Sequence, residues 1–332
     1  MSADPVWSVR PLRAADVDGA VELLIRTSAA DIRHLLRTDL SVTLQDAFGG
    51  ALVAEGDGRL VGAAKVSDDP VFPGTATALV AVDPAERGRG IGTALADRLI
   101  GAWDRAGGGT VSSMLRDDLP RGRAFAERYG FGVVHHSVGF RFDLAGHEVE
   151  LEQRARSALE RAGVRVRLAT PVAEERTIAE CLERCGQGLP LPVDARPDPG
   201  VWLTRLPSDS VFLLAEPPPP EEGPAAGAAA VTGAVRPVGM TILLPRTDAN
   251  SWHVAFTGTD PDHRGRGVAT AVKAASLLYA CRAGVESVTT HNDESNEHII
   301  RVNASLGMVP DVGYWTLTRR SGSGQGEAPG RG

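Results

Sequence analysis

Short apolar runs alternate along the whole chain with segments whose apolar positions recur every three to four residues. Runs of the first kind predict strands, and segments of the second kind predict amphipathic helices. In the first half, we predict strands at 7–12, 51–55, 60–66, 75–82, 110–115 and 131–144, and helices at 14–27, 92–106 and 121–129. This interleaving predicts an α/β fold in which a mixed sheet is flanked by helices.

The same order of elements begins again near residue 164. We predict strands at 164–168, 210–216, 235–244, 252–258, 287–290 and 313–319, and helices at 172–185, 267–283 and 296–306. Between the halves, 148–162 interleaves Glu and Arg, many of them four residues apart. This spacing predicts a solvated helix that connects the two halves.

Matching glycines support the repeat. Three glycines of the first half have a counterpart 177 positions later (267 − 90 = 177), and the pairs are Gly62 and Gly239, Gly90 and Gly267, and Gly130 and Gly307. Upstream, Glu55 and Glu216 are 161 apart, so 16 residues have been added between these landmarks (177 − 161 = 16). The added length falls in a Pro- and Ala-rich stretch at about 217–234, between two predicted strands, where an insertion is tolerated.

The repeat defines the predicted domains. We predict an N-terminal domain at 1–145, a helical connector at 146–163, a C-terminal domain at 164–320 and a disordered tail at 321–332. Each copy has an ordinary domain length, so the chain consists of two copies of one fold.

The most regular part of the repeat is an Asp-Pro turn, an Arg-Gly-Arg-Gly loop and the start of a helix. Its members are Arg87, Gly88, Arg89, Gly90, Ile91, Gly92 and Thr93 in the first copy, and Arg264, Gly265, Arg266, Gly267, Val268, Ala269 and Thr270 in the second. Glycines allow successive backbone N–H groups to turn toward one point, and a helix N-terminus adds free donors and a positive dipole end. The loops therefore predict phosphate binding. The alternative is a glycine-rich turn with solvated arginines, which becomes less credible when the pattern occurs twice.

Composition narrows the possible functions. The formal net charge is −7, which argues against a nucleic-acid partner. The chain has no apolar run of the roughly 18 residues that would span a bilayer and no leader pattern at its start, so we expect a cytoplasmic protein without a membrane partner. Three cysteines form no disulfide framework, and we expect Cys181 and Cys185 to be core thiols rather than a redox pair or half a metal site.

Both loops resemble the acyl-CoA pyrophosphate loop of the GNAT acetyltransferase superfamily, in which Arg or Gln is followed after two residues by Gly, one residue, and Gly or Ala. Arg87, Gly90 and Gly92 fit this pattern, and so do Arg264, Gly267 and Ala269. They do not fit the Rossmann fingerprint, because the glycines are too close together. The resemblance covers nearly the whole chain and implies two tandem GNAT folds, an arrangement that mycothiol synthases also have.

The resemblance implies that acetyl-CoA is the cofactor. Besides the loop residues given above, it implies cofactor contacts from the strand that precedes each loop and from the second copy's later elements, namely Val80, Val82, Thr257, Gly258, Asn292 and Asn296. From 290 to 308 the chain also resembles a branch of tandem GNAT proteins whose signature is Thr-x-Asn followed by two further Asn.

The two halves differ where GNAT enzymes often place a Tyr acid and an Asn, four and eleven residues before the Gly that follows the last helix. In the first half these positions are Ala126 and Leu119, and neither side chain can form a hydrogen bond. In the second half they are Asn303 and Asn296. We therefore expect chemistry in the second half. The alternative is that these Asn side chains only cap the helix and hold the strand end.

The catalytic candidates are Asn303, Asn296, His253 and Tyr314. His253 could accept the amine proton, with His291 and Asp293 as other choices, and Tyr314 on the closing strand could be an acid. Tyr129 is a weaker acid candidate in the first half. No cluster has the spacing of a metal site.

These features predict an acetyl-CoA-dependent N-acetyltransferase that acts on a small-molecule amine. The alternative is a catalytically degenerate protein that binds acyl-CoA as a sensor or scaffold, and O-acyl or longer-acyl transfer is a third possibility. We expect a monomer or a homodimer.

Overall fold

The computed structural model describes residues 7–27, 33–44, 50–189, 198–218, 235–246 and 250–320. The predicted disordered tail at 321–332 and most of the predicted insertion at 217–234 lie outside these residues. The chain divides into two compact units. The first consists of the described residues within Met1–His136, Pro192–Asp198 and Val312–Gly332, and the second of those within Ser137–Leu191 and Pro199–Asp311.

The first unit is a sheet with strand order β1-β2-β3-β4-β5-β12. Neighbouring strands are antiparallel except β4 and β5, which are parallel. The strands are β1 Trp7–Pro11, β2 Ala51–Gly56, β3 Arg59–Asp68, β4 Thr75–Val82, β5 Thr110–Arg116 and β12 Val309–Arg320, and the helices are α1 Val17–Leu24, α2 Arg33–Thr43, α3 Ile91–Arg105 and α4 Pro120–Arg128.

The second unit repeats this plan with strand order β6-β11-β10-β9-β8-β7, and here β10 and β11 are the parallel pair. The strands are β6 Gly132–Asp143, β7 Arg165–Ala169, β8 Val211–Glu216, β9 Gly239–Pro245, β10 Ser251–Thr259 and β11 Ser287–Asp293, and the helices are α5 Glu148–Ala162, α6 Pro171–Cys185, α7 Pro199–Thr204, α8 Val268–Arg282 and α9 Glu297–Ser305. The predicted elements are confirmed in both halves, with ends that shift by a few residues.

The period of two in the strands explains how each sheet buries both faces. In β2, Leu52 and Ala54 pack in the same core as α3, whereas Ala51 and Val53 pack in the core of α1 and α2. The second unit has the same division, because β8 contributes to the core around α8 from one face and to the core around α6 from the other. Cys181 and Cys185 are buried thiols of the α6 core, as predicted, with their sulfur atoms 3.8 Å apart.

The connector helix is part of a core as well as a solvated surface. Its outer side carries the predicted i,i+4 ion pairs, such as Arg154 with Glu150. Its other side buries Leu151, Ala155 and Ala158 in the same core as α8. The Glu and Arg residues of the connector helix α5 predict its solvent-exposed side, and the apolar residues between them form its buried side.

The last strands of the two units are exchanged. β12, at the end of the sequence, pairs with β5 of the first unit from Tyr314 opposite Arg116 onward, whereas β6 pairs with β11 of the second unit. The sequence predicts instead that each half ends in its own closing strand. The two strands occupy equivalent positions in the repeat, and each has alternating apolar residues in its second half, so the sequence pattern does not decide which copy each one joins.

This exchange leads to a testable prediction. Leu317 of β12 is fully buried in the core around α3, so Leu317→Ala should destabilise the first unit by about 2–5 kcal/mol. Hydrogen exchange should then show lost protection in α3 and unchanged protection in α8. The matched variant Phe142→Ala, in the core around α8, should give the opposite pattern. Loss of protection in α8 after Leu317→Ala would contradict the exchange.

Candidate functional site

The two Arg-Gly-Arg-Gly loops have the same backbone geometry. In the first, the Asp83 side chain accepts a hydrogen bond from the Ala85 N–H at 3.0 Å, which closes the Asp-Pro turn. Gly88 and Gly90 then take φ values of 81° and 84°, and α3 begins at the next residue, Ile91. Positive φ is readily adopted only by glycine, so the glycines are required for the turn into the helix.

The second loop repeats each of these features. The Asp260 side chain accepts from the Asp262 N–H at 3.2 Å, Gly265 and Gly267 have φ values of 75° and 82°, and α8 begins at Val268. A Cβ added at Gly265 would have no atom within 4 Å, so its surface is open. An open turn of glycine N–H groups at a helix N-terminus suits a phosphate.

The first arginine of each loop braces the strand end. Arg87 donates to the carbonyl of Val82 at 3.2 Å, and Arg264 donates to the carbonyl of Thr259 at 3.4 Å. Arg264 also donates to the carbonyl of Gln187. These two side chains thus help to hold the loops in shape, in addition to supplying positive charge.

The parallel strands of each unit pair for only part of their length. β4 pairs with β5 from Thr75 to Thr77, and β10 pairs with β11 from Ser251 to Val254. Beyond Thr77, β4 has no further pairing with β5 in the described register, and beyond Val254, β10 has none with β11. The sheet therefore opens between the parallel strands on the way to each loop. The sequence-predicted strand residues lie in these opened stretches, namely Val80, Val82, Thr257 and Gly258.

Gly258 also has a packing reason to be glycine. A Cβ there would lie 2.6 Å from the ring of Phe256 and 2.8 Å from the Cβ of Cys185. Any larger residue would force the α6 core to move.

Only the second unit has an irregular strand beside the opening. The register of β10 against β9 shifts between Val254 and Phe256, so Ala255 has no partner in that register. The equivalent strand β4 pairs with β3 without a shift. A bulge frees backbone groups from the ladder and re-aims them, and such groups can stabilise a developing oxyanion.

A chain of polar side chains lies next to the opening in the second unit. Lys273 of α8 donates from Nζ to Asn303 Oδ1 at 2.5 Å, and Asn303 donates from Nδ2 to Asn292 Oδ1 at 2.7 Å. Lys273 and Asn303 are both fully buried, and Asn292 is half-buried. Burial lowers the pKa of Lys273 from 10.5 to about 7, because the charged amine has lost its water. The sequence predicts a role for Asn292 and Asn303, whereas the place of Lys273 in this chain of side chains is apparent only from the structure.

Asn296 has a different position. Its Oδ1 accepts from the Ile299 N–H at 3.3 Å, which makes it the N-cap of α9. Both parts of the alternative stated above have a counterpart here, because Asn296 caps α9 and Asn303, inside the helix, bonds to Asn292 near the end of β11.

His253 lies on the other face of β10 from the Lys273 chain, because it alternates with Val254, which packs in the core around α8. Its Nδ1 is 3.1 Å from the hydroxyl oxygen of Thr289, and its ring centroid is 5.2 Å from that of His291. Burial, followed by the charge of His291, holds the pKa of His253 well below its usual value of 6.5. His253 is therefore neutral at physiological pH.

The two tyrosine candidates belong to the first unit. Tyr314 is buried on β12, opposite Arg116 of β5. Tyr129 donates its hydroxyl to the carboxylate of Asp97 at 2.7 Å. Burial, followed by this hydrogen bond, raises the pKa of Tyr129 to about 12, so its proton is held more firmly than usual.

The depressed pKa of Lys273 predicts how stability depends on pH. Between about 7 and 10.5 the unfolded chain keeps the Lys273 proton and the folded chain does not, so this residue makes folding more favourable as the pH rises. Urea unfolding of the intact protein and Lys273→Met at pH values of about 7.5 and about 9.5 measures the effect. We expect the increase to be larger in the intact protein, and an identical increase in both would contradict the prediction.

Comparison with known proteins agrees with this geometry. The model of the acetyltransferase (GNAT) family matches residues 22–131 and 196–308, which is more than half of the chain. The chain belongs to the GNAT acetyltransferase family. It is an acyltransferase built as a tandem of two GNAT folds.

Relatives and solved structures extend the similarity over nearly the full length. The chain is 28% identical to a mycothiol acetyltransferase of Geodermatophilus obscurus over 319 residues, which are 93% of this chain and 96% of the relative. It is 27% identical to a mycothiol acetyltransferase of Nocardia farcinica over 321 residues, again 93% and 96%.

Among solved structures, a tandem GNAT protein from the clavulanic acid biosynthesis pathway has a TM-score of 0.65 at 21% identity, covering 96% of this chain and 100% of that protein. A GCN5-related N-acetyltransferase from Sphaerobacter thermophilus has a TM-score of 0.62 at 20% identity, with coverages of 97% and 98%. At these identities the structures show the fold. Within the described residues, the structure has no helix that is long and apolar enough to cross a membrane.

Proposed function

We propose that this protein transfers the acetyl group of acetyl-CoA to the amine of a small molecule, and that the second unit performs the transfer. One observation carries the proposal. Of two equivalent strands beside two equivalent loops, only β10 has a bulge at the opening of the sheet, at Ala255.

The second loop is the proposed binding site for the diphosphate of acetyl-CoA. The backbone N–H groups that follow Gly265 and Gly267 would bind it, and the opened strand from Thr257 to Gly258 would lie beside the pantetheine arm. We propose that the first loop binds the same group without transferring acetyl, because Ala126 and Leu119 offer no side-chain hydrogen bonds there.

Acetyl-CoA supplies an acyl group that is activated as a thioester. The protein must then keep the attacking amine neutral, which at pH 7 costs about 4–5 kcal/mol for an alkyl amine with a pKa near 10.4. We propose that the amine binds in its neutral form and that His253 accepts the proton that the nitrogen loses as it bonds to the carbonyl carbon, because His253 is neutral and lies one residue before the point where β10 leaves β11. The amine nitrogen forms a bond to the carbonyl carbon, the carbon–sulfur bond breaks, and the thiolate takes a proton from water while His253 returns its proton to the solvent.

The other predicted residues have supporting parts in this proposal. Asn296 fixes the start of α9, and Asn303 holds Asn292 at the edge of the opening. Tyr314 takes no step, because the proposal uses residues of the second unit and Tyr314 belongs to the first.

A second candidate function is acyl-CoA binding without turnover. The observation that favours it is the complete burial of Asn303, whose amide is bonded to Lys273 and Asn292 at both ends and is not available as an acid. A protein of this kind would bind acetyl-CoA and release no thiol.

The test is thiol release from acetyl-CoA in the presence of a panel of small amines, which includes the acceptor of the mycothiol acetyltransferases because those relatives share that name. We expect amine-dependent release with at least one member and none with Gly267→Glu. Tight binding of acetyl-CoA with no release across the panel would favour the sensing function instead.

A further inference from the structure

The chain has a strong bias against lysine. Of its 35 Lys and Arg residues only Lys65 and Lys273 are lysines, and both side chains are buried almost completely. The guanidinium of arginine is a planar fork, whereas the lysine ammonium is a compact charge on a flexible stem. The two lysines therefore stand where a narrow, buried amine is needed.

The two buried amines have different partners. Lys65 of β3 forms an ion pair with Asp39 at 2.6 Å and bonds to the Ser67 hydroxyl at 3.0 Å, so its charge is balanced. Lys273 has one hydrogen bond within the described residues, to the neutral amide of Asn303. A buried amine without a carboxylate partner makes folding less favourable, and a methionine would fill the same volume at lower cost. Stability alone does not explain Lys273.

The direction of its hydrogen bonds gives a reason. In the structure Lys273 donates from Nζ to the carbonyl Oδ1 of Asn303, and the protonated form of the lysine can only donate, so it favours this orientation of the amide. Asn303 Nδ2 is then the donor to Asn292, and the Asn292 atom that receives it must be Oδ1. This leaves the Nδ2 of Asn292 as a donor. Asn292 lies two residues beyond Thr290, where the pairing of β11 with β10 ends.

We propose that Lys273 is a positioning residue for acetyl-CoA binding, which acts through Asn303 to hold the Asn292 amide with its N–H groups toward a carbonyl of the bound thioester arm. This inference rests on the proposed function of the second unit. It adds that Lys273, which does not touch the cofactor itself, makes the site specific for a carbonyl acceptor by fixing the orientation of the Asn292 amide.

The experiment is calorimetric titration of the full chain with acetyl-CoA. Lys273→Met and Asn292→Leu should each weaken binding about tenfold, which is the loss of roughly one hydrogen bond. The double variant should bind acetyl-CoA with the same affinity as the single variant that binds it less tightly, because Lys273 and Asn292 act in series through Asn303. If Lys273 had only a structural role, the two losses of affinity would be independent, and the double variant would show the product of the two single losses.

A matched control comes from the other lysine. Lys65→Met breaks a balanced buried pair in the first unit and should lower the melting temperature more than Lys273→Met does. Lys65→Met should leave acetyl-CoA binding at the second loop unchanged. Because the first loop is also proposed to bind acetyl-CoA, this comparison is made in proteins that carry Gly90→Glu, which restricts binding to the second loop.

The outcomes separate this inference from the proposed function. If the intact protein does not bind acetyl-CoA, the proposed function fails. If the intact protein binds and Lys273→Met binds equally well, the function stands and the role of Lys273 is overturned. Multiplicative losses in the double variant would also overturn it.

Discussion

Gly267→Glu is expected to abolish acetyl-CoA binding at the second loop, with a loss of at least about a hundredfold. Gly267 has φ of 82° at the N-terminus of α8, where the phosphate-binding N–H groups converge. A glutamate there places its own carboxylate against those groups and repels the diphosphate. The measurement is calorimetric titration with acetyl-CoA.

The matched control is Gly284→Glu. Gly284 has φ of 77°, follows the other end of α8 and has no atom within 4 Å of an added Cβ. Gly284→Glu therefore adds the same charge and a similar backbone strain as Gly267→Glu does, but at the opposite end of α8 from the loop. Equal loss in both variants would show that strain in the unit, and not occupation of the phosphate position, weakens binding.

His253→Gln is expected to lower kcat about a hundredfold while the KM for acetyl-CoA changes little. Removing a general base usually costs 10²–10⁴-fold, and the low pKa of His253 makes it a weak base at the lower end of that range. Glutamine retains a group that can bond to Thr289 but does not accept a proton. The measurement is steady-state thiol release with the best amine of the panel.

His298→Gln is the control for this prediction, because His298 is an exposed residue of α9 and lies outside the proposed chemistry. It should retain the activity of the intact protein. Full activity in His253→Gln would remove His253 from the mechanism and make an ordered water or His291 the next base to test.

Local features of the fold could be predicted from the sequence because local physics decides them. The strand at 75–82 and the glycine pairs at 88–90 and 265–267 follow from apolar runs and from the need for positive φ, and the structure has them where they were predicted. The repeat was equally clear, because a constant spacing between glycines does not depend on tertiary contacts.

Features that depend on tertiary pairing could not be predicted in this way. The exchange of β6 and β12 is not predicted, because both strands follow the last helix of a repeat and their order along the chain does not say which sheet each one joins. The bulge at Ala255 has no glycine or proline to mark it, and the sequence does not show that α9 places Asn303 against Lys273. A scan for rare residue types could have identified Lys273, because only two lysines occur in this chain.

The most direct test of the central claim compares acetyl transfer to one amine by Gly90→Glu and Gly267→Glu. The two glycines occupy equivalent positions in the two loops, with φ values of 84° and 82°, so each variant makes the same change in a different unit. The account predicts that Gly90→Glu retains transfer and Gly267→Glu loses it. Loss of transfer in Gly90→Glu with retention in Gly267→Glu would contradict the account and assign the chemistry to the first unit.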